Sequence, residues 1–150
     1  MGPDPAARPD TVPRTLGRLR VALEDAYRRA SRELGLTAQQ AELLCAAMRP
    51  TAVGDLAKVL RCDRSNVSRL VDRASRRGLI ERRAGDQDGR VSVILLTAEG
   101  DELARRFIES LEAQLRPLLA DWSTQRQQTA VKLMNEISDS LDASDPRHES

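Results

Sequence analysis

Asp63-Arg64-Ser65-Asn66-Val67-Ser68-Arg69-Leu70-Val71-Asp72-Arg73 decides the fold. Within it Val67, Leu70 and Val71, continued by Ala74, recur at helical spacing, while Arg64, Ser65, Asn66, Ser68, Arg69, Arg73, Arg76 and Arg77 take the other positions. One face of such a helix packs, and the other is cationic and rich in hydrogen-bonding groups. Just upstream, Val53, Leu56, Ala57 and Leu60 describe a shorter helix, and Arg61-Cys62-Asp63 is a tight connection in which Asp63 caps the helix that follows. Two helices joined by so short a turn, the second with an Arg-rich face, form a helix-turn-helix, whose second helix enters the major groove of DNA. Arg69 suits a guanine edge and Asn66 an adenine edge, Ser65 and Ser68 reach bases or phosphates, and Arg73, Arg76 and Arg77 suit backbone phosphates. A solvated surface helix could carry any one of these residues; the ensemble is what points to DNA.

Downstream, Gly78 ends the helix, and Leu79-Ile80-Glu81-Arg82-Arg83 and Val91-Ser92-Val93-Ile94-Leu95 read as two strands. They are joined by Ala84-Gly85-Asp86-Gln87-Asp88-Gly89-Arg90, whose Gly and Asp content suits a hairpin tip. Such a wing would bring Arg90 to the narrow, electronegative minor groove, with Asp88 orienting it. The expected class is therefore mainly α with a small β-hairpin wing, a winged helix-turn-helix over residues 51 to 96.

Longer helices flank this centre. Leu16, Leu19, Leu23, Ala26, Tyr27, Ala30 and Leu34 form one stripe over residues 14 to 34, which Gly35 ends. Thr37-Ala38-Gln39-Gln40 has the form of a capping box for a helix with Leu43, Leu44 and Met48 inward, stopped by Pro50. Thr97 caps a helix carrying Leu103, Phe107, Ile108, Leu111, Leu115, Leu118 and Leu119, with Pro117 a potential kink; Thr124 with Gln127 resembles a further capping box, ahead of Leu133, Met134, Ile137 and Leu141. The expected organisation is a disordered arm at 1–13, a single domain at 14–141 and a flexible tail at 142–150. The stripes at 14–34 and 97–141 exceed what the central 46 residues could cover, so a second copy of the chain is expected to cover them as dimerisation helices, the alternative being that they pack on one another within one chain.

With 40% apolar and 31% charged residues the chain has a soluble balance, and no apolar run is long enough for a membrane span or a signal peptide, which implies a cytoplasmic location, on the nucleoid when bound to DNA. The net charge of +1 hides an asymmetry: residues 51–96 hold ten Lys or Arg against six Asp or Glu, and residues 97–150 hold six against eleven. The basic centre suits a polyanion. Cys45 and Cys62 are too few for a disulfide framework, and the sole histidine, His148, stands outside any metal-ligand cluster, so neither metal nor cofactor is expected. A phosphate loop, a nucleophile elbow and a triad histidine are all missing, which argues against an enzyme.

Asp63 to Arg73, then Arg77-Gly78-Leu79-Ile80-Glu81-Arg82, then Asp88-Gly89-Arg90 followed by Leu95-Leu96-Thr97 and Gly100, stand in an order and spacing that resembles the MarR-type multiple antibiotic resistance regulators. The resemblance implies a homodimer, intertwined through its terminal helices, that binds a palindromic operator on double-stranded DNA and usually represses nearby genes. It puts Ser65, Asn66, Ser68 and Arg69 at base-reading positions and makes Arg90 the wing arginine. It further implies release by a small aromatic or phenolic ligand, for which Tyr27, Met48, Phe107 and Trp122 are the candidate lining, though residues at such spacing also serve as plain core. Thiol switching is a second route: Cys62 lies between Arg61 and Arg64 at a helix start, a setting that would lower its pKa, against the plainer reading of a small residue that fits a tight turn. An alternative of another class is a helical adaptor whose basic face meets an acidic protein.

Overall fold

The computed structural model describes residues 11–84 and 92–143. Six helices and three strands follow in the order α1 (Val12–Glu33), α2 (Ala38–Ala46), β1 (Thr51–Ala52), α3 (Val53–Val59), α4 (Arg64–Arg76), β2 (Ile80–Ala84), β3 (Ser92–Leu96), α5 (Ala98–Leu119) and α6 (Thr124–Ala143). The chain divides into two compact units, Met1–Leu111 and Glu112–Ser150, with α5 running through the boundary.

In the first unit the expected helix-turn-helix and hairpin strands are present, each displaced by a residue or two. Helix α1 starts at Val12, inside the arm expected to be disordered, because Pro13 sits in the first turn, where its missing N–H costs nothing. The capping box of α2 is complete: Thr37 Oγ1 accepts from the Gln40 amide at 3.1 Å, and Gln40 Oε1 accepts from the Thr37 amide at 3.0 Å. Met48 does not point inward as expected. The helix ends at Ala46, so the i+4 spacing from Leu44 no longer applies, and Met48 is exposed.

The hairpin is part of a three-stranded antiparallel sheet of order β1-β3-β2. Ile80 faces Leu96 and Ala84 faces Ser92 across β2 and β3, while Thr51 and Ala52 pair with Ile94 and Val93. Strand β1 has only two residues, too few for any alternation to show in the sequence. Leu43, Leu44, Leu56, Val67, Val71, Leu79, Ile94 and Phe107 are fully buried in one core, which draws on α2, α3, α4, the sheet and the start of α5. Removing any of these large side chains should cost about 2–5 kcal/mol. The α1 stripe packs against the core at Tyr27, Ala30 and Leu34, whereas Leu19 and Leu23 are exposed.

The second unit holds the end of α5 and all of α6. Ser123, and not Thr124, caps α6, its Oγ accepting from the Arg126 amide at 3.2 Å. Gln127 instead reaches back with Nε2 to the Trp122 carbonyl at 3.2 Å. Pro117 lies within α5, in its last turn. None of the residues of α6 is buried, and Leu115, Leu118, Val131, Leu133, Met134 and Leu141 stand exposed.

Candidate nucleic-acid interface

The turn into α4 depends on Arg61, whose φ of 49° lies in the left-handed region, at a cost of about 1–2 kcal/mol for a residue with a Cβ. That reversal is held by Cys62 N–H donating to the Ala57 carbonyl at 3.2 Å. Asp63 then caps α4 with both carboxylate oxygens. Oδ1 accepts from the Asn66 amide at 2.8 Å and from Ser65 Oγ at 2.5 Å, and Oδ2 accepts from Asn66 Nδ2 at 2.9 Å. The Ser65 hydroxyl, followed by the backbone amide of Asn66, holds the Asp63 carboxyl below its usual range, so it is an acceptor only.

Val67, Leu70, Val71 and Ala74 bury one side of α4. At 100° per residue the opposite side carries Ser65, Arg69, Asp72 and Arg76, with Arg73 beside them, and all five are exposed. Ser68 is half-buried at the margin, and Arg64 is exposed at the first turn near Gly54. An acid therefore sits among the arginines. Its charge is met by Arg82 of β2, whose Nη2 donates to Asp72 Oδ1 at 2.6 Å. Arg77 does not share this face: its Nη1 donates to the Gly35 carbonyl at 3.1 Å and lies 3.4 Å from Gln40 Oε1, tying the end of α4 to the α1–α2 corner. The sequence gives no cue to either pairing, because the partners are ten and about forty residues apart. Asp88 and Arg90 lie outside the described residues.

A second set of contacts fixes where α5 begins. Thr97 Oγ1 donates to the Gly78 carbonyl at 2.6 Å and accepts from the Gly100 amide at 3.1 Å, while Thr97 N–H donates to the Leu79 carbonyl at 3.0 Å. A Cβ on Gly100 would stand 2.0 Å from that same Leu79 oxygen, so only glycine lets α5 approach the end of α4 this closely.

Of the four residues named for a ligand, Tyr27 and Phe107 meet edge to face, with ring centroids 5.3 Å apart. Phe107 is fully buried core. Met48 is exposed, and Trp122, in the second unit, lies under the Arg126 guanidinium at 4.3 Å. Tyr27 is raised by burial and then by the charges of Glu42 and Cys45, and burial also raises Glu42. The expected activation of Cys62 is reversed. Burial raises its pKa, and the Asp63 and Glu42 carboxylates raise it further; Cys45 is raised as well, by burial and by Glu42. A raised pKa is the opposite of what a reactive thiolate needs.

A recognition-type helix with its hydrophobic side in the core, followed by an antiparallel hairpin, defines a winged helix-turn-helix protein. Residues 34–91 match the model of the MarR family. No curated protein matches the chain in sequence. Among solved structures, apo wild-type MarR of E. coli superposes with a TM-score of 0.70 at 21% identity, covering 87% of this chain and 98% of that one. The S. aureus MepR–DNA complex gives 0.72 at 20% identity, covering 87% and 96%. BpsR of Bordetella bronchiseptica, whose DNA binding is regulated by 6-hydroxynicotinic acid, gives 0.69 at 21%, covering 92% and 99%. At these identities the structural likeness is one of fold. The winged helix-turn-helix segment is thus of the MarR family, as its motifs indicated, and the chain has the fold of the MarR-family transcriptional regulators.

Proposed function

We propose that this chain is a sequence-specific, double-stranded DNA-binding repressor that acts as a homodimer on an inverted-repeat operator. The observation that carries the reading is α4, buried on one side through Val67, Leu70, Val71 and Ala74 and presenting Arg69, Arg73 and Arg76 on the other, within a MarR-family segment. Arg69 with Ser65, Asn66 and Ser68 reads bases in the major groove, and Arg64, Arg73 and Arg76 meet phosphates. Arg77, bonded to the Gly35 carbonyl, also positions α4. Arg90, oriented by Asp88, reads the minor groove.

The uncovered apolar residues of α6 and of the end of α5 support a dimer, since an exposed row of this kind marks an interaction surface. Two-fold symmetry would set the recognition helices about 34 Å apart. A small aromatic ligand, of the class that regulates BpsR, would release the operator. Fluorescence anisotropy against the promoter duplex beside its own gene, with a scrambled duplex as control, tests the reading. The promoter duplex should bind about 10³-fold tighter or more, with affinity falling steeply with salt. Equal binding to both duplexes would favour the protein adaptor.

A further inference from the structure

The α4 N-terminus carries more chemical information than a cap requires. An ionised carboxylate has no proton to give, so each of its neighbours must be the donor. Ser65 spends its only hydroxyl proton on Asp63 Oδ1, which leaves its oxygen outward as an acceptor. The atom of Asn66 that lies 2.9 Å from Oδ2 must be the amide nitrogen, which fixes the side chain with Oδ1 turned away from Asp63. Both exposed side chains are thereby oriented before any partner arrives.

We infer that Asp63 sets the base preference of this end of α4, making Ser65 and Asn66 present acceptor oxygens that select an amino base, adenine or cytosine, in the major groove. The inference deepens the DNA-reading proposal and rests on it. Adenine N6 and cytosine N4 are the donors in the major groove, whereas guanine O6 and N7 and thymine O4 only accept and would oppose these oxygens and the Asp63 charge. Asp63 itself is a positioning residue, acting through Asn66 and Ser65.

Selection of bound duplexes from a randomised pool, with the full-length dimeric protein, tests this. The position read by Asn66 is the one whose preference disappears in Asn66→Ala, and the parent should enrich adenine or cytosine there by roughly tenfold, the scale of one good base contact. Asp63→Asn keeps a capping oxygen but offers an NH₂ toward residue 66, so the Asn66 amide turns over and its NH₂ faces the groove. The preference at that position should invert to guanine or thymine, with thermal stability monitored to show that α4 is intact. Enrichment of guanine or thymine by the parent, an unchanged preference in Asp63→Asn, or an Asn66→Ala variant that alters no position would each overturn the inference while leaving DNA binding standing. A parent that enriches no sequence overturns the DNA-reading proposal itself.

Discussion

Arg82 on β2 places its guanidinium 2.6 Å from the carboxylate of Asp72, in the middle of the exposed arginine face of α4. Both side chains are about half exposed, so the pair adds little to folding stability, under about 1 kcal/mol. Its consequence is electrostatic: on the proposed reading, a bare Asp72 would repel the phosphates that Arg73 and Arg76 are to meet. Arg82→Ala should weaken DNA binding by about tenfold or more with little change in Tm, a scale set by 1.4 kcal/mol of lost attraction. The double variant Arg82→Ala/Asp72→Ala should recover most of the loss. Additive losses in this cycle, measured by anisotropy at fixed salt, would mean that Arg82 contacts DNA directly.

Gly100 on α5 packs directly against the backbone of Leu79, just beyond α4. Glycine within a helix ordinarily gives way to alanine with a gain of about 1 kcal/mol. Here the new Cβ would lie 2.0 Å from a backbone oxygen that cannot rotate aside. Gly100→Ala should therefore destabilise the protein by about 1–3 kcal/mol, the cost of overpacking. Thermal denaturation checks the sign, and a higher Tm than the parent would show that the junction yields.

The helix-turn-helix was legible because its signals are local. The α4 period, the Asp63 cap and the Thr37–Gln40 box each need only a few neighbouring residues, and all stand where the sequence put them. The Asp72–Arg82 and Arg77–Gly35 contacts were not legible, because they depend on how separate elements fold back on one another. Arg77 shows the consequence: from period and charge it reads as another phosphate contact, and tertiary packing gives it a different partner. Cys62 failed for a related reason. Its flanking arginines and Asp63 are visible in the sequence, but the burial that raises it most, and Glu42 beside it, come only with the fold.

Glu42 makes a prediction with a defined sign. Burial raises its pKa above the ordinary 4.5, so between the unfolded and folded values the native state holds more protons than the unfolded chain. Stability from this residue is then highest below the unfolded pKa and falls as pH rises through the folded one. Glu42→Gln, which stays neutral, should raise Tm near pH 7, and the gain should vanish toward about pH 4, where the parent is protonated too. A gain that persists unchanged at acid pH would assign the effect to packing and not to charge.

Met134 provides the test of assembly. On α6 it shares one face with Ala130, Ile137 and Leu141 at helical spacing, and it is 51% exposed although that face is apolar throughout. A partner chain covering the face would desolvate Met134 fully, and a carboxylate there would be buried without a counter-charge, which costs several kcal/mol per ion. Two copies of the substitution enter each symmetric dimer, so the penalty is doubled. Met134→Glu should shift the protein from dimer to monomer in sedimentation equilibrium. Its helical signal in the far ultraviolet should persist if the core of the first unit is independent of the partner. DNA affinity should fall along with the dimer, because a single recognition helix gives up the second half-site. A variant that sediments as the parent does would rule out this face of α6 as the dimer contact.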